Sequence, residues 1–356
     1  MNIRHFSAVA AVLLIVSLLL SAQPGVHAQQ LTEGNPLPTE SIAAPAILSD
    51  AEETAPEGSA LVLHMADTAS PIYKICDNMA RDMQARHILV FDTRTDTILY
   101  SKSVEGGKLF PASITKLFSA YVALQYLDPD AIITAADELD LVHEGSSLAY
   151  VPVGSQVQVH MLVEGMMLPS GNDAAMVLAA AAGRAIAGDE TLSGADAVQT
   201  FVDEMNRQAR VLGFEKSHFS NPDGWHSGSH YTCLNDLARI AKLALGSETM
   251  RSYMCLQRDE TQYVSGEYVV WENHNLLVNP ETAYYHADAV GMKTGYTRPA
   301  GYSLMSAFTF EDGEIVVGLL GYAGKYDRFS DAIRLAQACQ EQFRLQEEVL
   351  VNPGVG

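Results

Sequence analysis

The sequence is short of charge, and shorter still of positive charge. Charged residues make up 18% of its 356 positions, and 22 Lys and Arg stand against 43 Asp and Glu, a formal charge of −21. A surface of that sign repels a polyphosphate backbone and no basic stripe interrupts it, so nucleic acid is excluded as a partner. Cysteine is scarce as well. Cys76, Cys233, Cys255 and Cys339 are scattered without a Cys-x-x-Cys pair, and the 11 histidines include no His-Glu-x-x-His. Neither pattern can build a zinc or other metal site, so no metal and no cofactor is expected. Only Cys233 and Cys255 lie close in sequence. A chain of this length has core enough to do without disulfides, and the four are expected as free, buried thiols.

Long apolar runs are also rare, and the one present says where the protein works. Arg4 precedes a nearly unbroken apolar stretch from Ala8 to Leu20, followed by Val26-His27-Ala28. This is the layout of a secretory signal peptide cut after Ala28. If it stays uncut, the same segment is a membrane anchor. Membrane contact is expected only in that case. Cleavage removes one arginine and no acid, so −21 becomes −22. Residues 29–83, rich in Pro, Ala and acids as in Glu52-Glu53-Thr54-Ala55-Pro56, read as a solvated linker. The folded domain is expected over 84–346, with 347–356 as a short tail and no C-terminal anchor visible.

Within the domain, His87–Asp92 and Thr97–Tyr100 are β-branched, apolar runs around a polar turn, a hairpin signal. Helical periodicity follows at 114–125, 161–168, 174–186, 195–212 and 234–245. From about residue 262 the period turns strand-like, through Ala289–Thr297, Tyr302–Thr309 and Ile315–Gly321, and Arg328–Leu345 is a closing amphipathic helix. The expected class is α+β: an antiparallel sheet built from both ends of the chain and flanked by helices, with a mostly helical lobe inserted between. Such a layout puts a site where sheet and lobe meet.

Three stretches carry chemistry. In Pro111-Ala112-Ser113-Ile114-Thr115-Lys116, at a helix start, Ser113 and Lys116 are three apart and share one face. A serine hydroxyl needs a base to become a nucleophile, and a desolvated lysine can serve as one. Pro169-Ser170-Gly171-Asn172 is a turn between two helical patterns that presents a hydroxyl and an amide. Lys293-Thr294-Gly295-Tyr296 lies on a strand. Each alone is common. Together and in this order they form the trio carried by penicillin-binding proteins and class A β-lactamases.

Over roughly 84–345 the chain resembles the serine-type D-Ala-D-Ala carboxypeptidases, the low-molecular-mass penicillin-binding proteins with a β-lactamase/transpeptidase-like fold. The likeness includes Leu168–Ala175, Asn221-Pro222-x-Gly224, His230-Tyr231-Thr232, Gly291–Thr297 and Asp327–Ser330. The resemblance implies an exported hydrolase that trims terminal D-alanine from peptidoglycan stem peptides and is acylated by β-lactam antibiotics. It implies Ser113 as nucleophile, Lys116 as its proton acceptor, Ser170 as relay to the leaving amine, and Asn172 orienting Lys116 and substrate. Lys293 and Thr294 would hold the substrate carboxylate, Gly295 would admit the ligand to the backbone, and the N–H groups of Ser113 and Tyr296 would form the oxyanion hole. Arg298 could assist with the substrate carboxylate, although it reads more readily as a solvated strand-end residue. Asp223 and Trp225 depart from many relatives and are expected at the rim.

Other readings stay open. A D,D-endopeptidase breaks a similar amide in a longer substrate. A class A-like β-lactamase needs a glutamate for deacylation, and Glu190 is the nearest candidate after Asn172. A non-catalytic sensor would have had reason to lose Ser113 or Lys116, and both are present.

Overall fold

The computed structural model describes residues 61–104, 108–311 and 313–351. The expected signal segment and most of the linker lie outside the described residues. The chain opens with β1 (His64–Met65) and α1 (Pro71–Ala80), then the hairpin β2 (His87–Asp92) and β3 (Thr97–Ser103). A 3-10 turn at Ala112–Ile114 leads into α2 (Thr115–Ala123). The helical lobe follows: β4 (Ile132–Thr134), β5 (Gln156–Gln158), α3 (Val159–Met167), α4 (Asn172–Ala187), α5 (Gly194–Val211), α6 (Leu234–Gly246) and α7 (Glu248–Met254). A side hairpin, β6 (Arg258–Gln262) and β7 (Tyr268–Glu272), precedes β8 (Ala289–Thr297), β9 (Gly301–Phe310), β10 (Gly313–Tyr322) and α8 (Asp327–Val351).

The main sheet has the order β1-β3-β2-β10-β9-β8. Both ends of the chain therefore build it, joined by antiparallel pairing of β10 with β2 from Ile315–Asp92 to Leu320–His87. The expected α+β plan holds. β2 is buried along its whole length because it is central and covered on both faces. Its side chains alternate: Leu89 and Phe91 enter the core under the helical lobe, while Ile88 and Val90 enter a second core under α1 and α8. The sheet thus separates two apolar layers, and the helical lobe covers only one.

Two boundaries need correction. The folded body does not begin at 84: α1 lies inside the expected linker, and β1 pairs with β3 in parallel, the one parallel pair in an otherwise antiparallel sheet. Ser70 caps α1 by accepting from the Tyr73 N–H at 3.3 Å, Pro71 starts it, and Ile72, Cys76 and Ala80 at four-residue spacing bury one face. That stripe is only three residues long, which hid it among polar neighbours. At the other end α8 runs through 347–351 instead of stopping at 346.

In the lobe, Glu138 is fully buried, accepts from the Ala136 N–H at 2.7 Å, and pairs with Arg184 of α4 at 3.2 Å. Arg184 also donates from Nε to the Leu192 carbonyl at 3.1 Å, tying α4 to the turn before α5. Arg184→Ala strands a buried carboxylate, and urea unfolding is expected to show a loss of about 3–5 kcal/mol. A loss under about 1 kcal/mol would mean that the pair carries little of the lobe's stability.

Candidate active site

Ser113 sits in the 3-10 turn, one residue after Ala112, whose φ of +51° is left-handed. A non-glycine residue held there stores about 1–3 kcal/mol of strain and needs support. The support is Gly224, itself at φ +84°: a Cβ on it would fall 1.9 Å from the Ala112 carbonyl oxygen. Only glycine lets the 221–225 loop close on the serine turn. The loop is fixed from α2, where the Ser119 hydroxyl donates to the Pro222 carbonyl at 2.6 Å. It is fixed internally by Asn221, which accepts from the Gly224 N–H and donates to the Trp225 carbonyl, both at 2.8 Å. His230 joins loop to helix. Its Nδ1 accepts from the Ser220 N–H at 3.1 Å, which leaves Nε2–H to donate to Thr115 Oγ1 at 2.8 Å. Burial, first, then the charges of His218 and His226 push the His230 pKa down to about 3, so the ring stays neutral.

Lys116, in the first turn of α2, is wholly buried. Its Nζ makes three contacts: 2.7 Å to Asn172 Oδ1, 2.8 Å to the Asp223 carbonyl and 3.1 Å to Ser113 Oγ. The first two acceptors have no hydrogen to give at those atoms, so each consumes one N–H. In the neutral amine the lone pair is then left for the serine hydroxyl. Burial, opposed by Asp223 and Asp173, lowers the Lys116 pKa to about 8, which brings the neutral form within reach of ordinary pH.

Asn172 begins α4 and is held in turn. Its Nδ2 donates to Ser146 Oγ at 2.9 Å and its backbone N–H to the Ser147 carbonyl at 2.8 Å. Beside it the Asp173 carboxylate accepts from the N–H groups of Ala149 and Val151 at 2.8 and 3.0 Å, locking the 146–151 loop to the helix start. Ser170 is nearly buried in the cleft wall at φ +65°. Among the described residues its hydroxyl bonds to neither lysine.

Opposite runs β8. Thr294, Gly295 and Tyr296 line the cleft, and a Cβ on Gly295 would stand 3.2 Å from Ser113 N, so strand and serine turn nearly touch. Tyr296 is exposed and stacked on Tyr302, ring centroids 4.3 Å apart. Lys293 lies beneath the cleft wall and does not line it. It is buried, its Nζ has no hydrogen-bond partner, and burial, then Lys116 and Arg328, push its pKa well below the usual lysine range. Arg328, in the first turn of α8, reaches the cleft from outside the three motifs. Its Nε and Nη1 are also buried without partners, and burial lowers its pKa to about 10.

The cleft, about 460 Å³, therefore presents a serine bonded to a buried lysine, with Arg328 on its wall and Lys293 beneath, each holding nitrogens without hydrogen-bond partners. All eight residues singled out in the sequence converge here, six on its walls and two lysines beneath. Arg298 is exposed and off the cleft, as is Glu190 in the turn after α4. Trp225 stacks on His143, centroids 4.6 Å apart, and forms part of the wall. Arg328 and the backbone carbonyl of Asp223 had been given no role in the site from the sequence. The Asp327–Ser330 stretch was the available signal for the first, whereas a backbone carbonyl leaves none.

The sheet order, the inserted lobe and the cleft between them define the DD-peptidase/transpeptidase fold. The chain belongs to the D-alanyl-D-alanine carboxypeptidases of peptidase family S11, whose pattern matches residues 74–321, and is accordingly a serine peptidase. It is 32% identical over 254 residues to a D-alanyl-D-alanine carboxypeptidase of Streptomyces sp. strain K15, covering 68% of this chain and 82% of that one. To the carboxypeptidase DacF of Bacillus subtilis it is 27% identical over 63% of this chain, and it spans only 54% of that protein's length. The crystal structure of the Streptomyces K15 DD-transpeptidase superposes with a TM-score of 0.63 at 30% identity, over 72% of this chain and 97% of that one.

The Asp223 charge favours protonated Lys116, so Asp223→Asn is expected to move the Lys116 titration to lower pH. NMR of 13C-labelled lysine across the pH range reads the midpoint directly. An unmoved midpoint would mean that this carboxylate does not act on Lys116.

Proposed function

We propose that the chain removes the terminal D-alanine from peptidoglycan stem peptides ending in D-Ala-D-Ala, through an acyl-enzyme on Ser113. The observation that carries this is the contact of Lys116 Nζ with Ser113 Oγ at 3.1 Å while two stronger acceptors hold its other hydrogens. The free carboxylate of the substrate meets Thr294 and Arg328 at the cleft surface, with the charge of Lys293 behind them, a charge-assisted set suited to that group. This anchor sets the penultimate carbonyl against Ser113, its oxygen toward the N–H groups of Ser113 and Tyr296, where negative charge develops.

Neutral Lys116 takes the hydroxyl proton as Ser113 Oγ bonds to the carbonyl carbon. The C–N bond then breaks, and the leaving amine of D-alanine receives a proton by way of Ser170. Water, activated by the regenerated amine, attacks the ester carbonyl, and the bond to Ser113 Oγ breaks to release the shortened peptide. A β-lactam enters the same route, but its leaving amine stays tethered, so the adduct persists and the drug acts as a covalent inhibitor. Export by residues 1–28 would bring the enzyme to the cell wall outside the membrane. Among the described residues no helix is long and apolar enough to cross one.

A second reading concerns the acceptor. The K15 neighbour is titled a transpeptidase, and an amine in place of water would yield a new peptide bond from the same acyl-enzyme. Endopeptidase action would differ only in a longer leaving group.

Incubation with a pentapeptide ending in D-Ala-D-Ala is expected to release free D-alanine, and penicillin to leave an adduct on the Ser113 peptide by mass. Ser113→Ala is expected to lower both by more than about 10⁴-fold. Rapid penicillin turnover without D-alanine release would instead point to a β-lactamase. A pentapeptide product ending in D-Ala-Gly when glycine is added, with D-alanine released alongside it, would support the transfer reading.

A further inference from the structure

Cys76 and Cys339 are 263 residues apart in sequence, on the first and last helices of the folded body, and their sulfurs meet at 3.7 Å. Both side chains are completely buried, in the apolar layer between α1, α8 and the sheet, with Ile72, Ala80, Phe329 and Leu335 in the same cluster. The other two cysteines are placed differently. Cys233 is half-buried, Cys255 is exposed and points to the Ser252 carbonyl, and neither has a sulfur partner among the described residues. The expectation of four buried thiols thus holds for one pair only, and that pair is in van der Waals contact. A disulfide needs about 2.05 Å between sulfurs, and no other group stands between the two at 3.7 Å.

We propose that the exported protein carries a Cys76–Cys339 disulfide, formed by exchange with an oxidant of the disulfide class, such as an oxidised thiol–disulfide oxidoreductase or oxidised glutathione. One cysteine thiolate attacks the oxidant's disulfide, expels one of its sulfurs as a thiol and leaves a mixed disulfide. The second thiolate displaces the other sulfur. Two protons and two electrons pass from the cysteines, and the oxidant departs as two thiols. Timing follows from burial. The hydrogen bond to Cys76 and then burial push the Cys339 thiol well above its usual range, and no oxidant reaches either sulfur once α8 is seated. Exchange therefore belongs to the stage when α8 has met α1 but has not closed over it.

The bond fastens the two ends of the folded body, a span that removes much freedom from the unfolded chain. It also ties down α8, whose first turn carries Arg328 into the cleft. The sheet stands between this pair and Ser113, so the clip acts on stability and leaves the serine and Lys116 untouched.

The full chain, refolded with reduced and oxidised glutathione and alkylated during denaturation, tests this independently of export. Peptide mass mapping is expected to give a Cys76–Cys339 cross-link with Cys233 and Cys255 alkylated. Reduction is expected to lower the thermal midpoint by roughly 5–10 °C, and in Cys339→Ser the reductant shifts nothing. Alkylation of all four cysteines, a cross-link through any other pair, or a wild-type midpoint indifferent to reduction would overturn the proposal.

Discussion

An ammonium group buried without a carboxylate in contact is the constraint on which the site depends. Desolvating Lys116 costs several kcal/mol unless its hydrogens are met. The acceptors that meet them come from three separate segments: the serine turn, the start of α4 and the 221–225 loop. None of these alone would hold the amine in register. The Asp223 and Asp173 carboxylates stand near enough to support the charge but do not bond it, so its proton stays loosely held. A direct ion pair would have satisfied the lysine better and held its proton more tightly.

The rest of the architecture keeps those segments and β8 together. The sheet provides a rigid wall, and Gly295 lets that wall come against the serine turn. The strain at Ala112 is held by Gly224, which packs against the Ala112 carbonyl and leaves no room to relax. Arg328 on the cleft wall and Lys293 beneath it both hold buried nitrogens without hydrogen-bond partners, and Arg328 lies over the Tyr302 and Phe329 rings. Arg328 adds to the burial that pushes the Lys293 pKa down.

Much of this was legible in the sequence, for reasons that differ by residue. Ser113 and Lys116 show because helical spacing makes three-apart residues neighbours, although the serine itself sits in a 3-10 turn and not in α2. Ser170 and Asn172 show because a proline and a glycine force a turn between helical runs. Strands β2, β8, β9 and β10 show because each is apolar over most of its length. What stayed hidden depends on contacts far apart in the chain. Arg328 comes from a helix beyond two further strands, and only the likeness of Asp327–Ser330 to the family marked it; its place in the cleft depends on the folded contact. The Asp223 carbonyl is invisible because every residue has one. Helix α1 bears a stripe too short to stand out, and the meeting of Cys76 with Cys339 exists only once both termini have docked.

The most direct test of the account is the pH dependence of Ser113 acylation by penicillin in the wild-type chain, measured at limiting inhibitor. If neutral Lys116 is the base, the second-order rate rises with pH on an acid limb that is half-complete near pH 8, where that amine loses its proton. An acid limb lying below about pH 6, or none at all, would assign the proton transfer to another group.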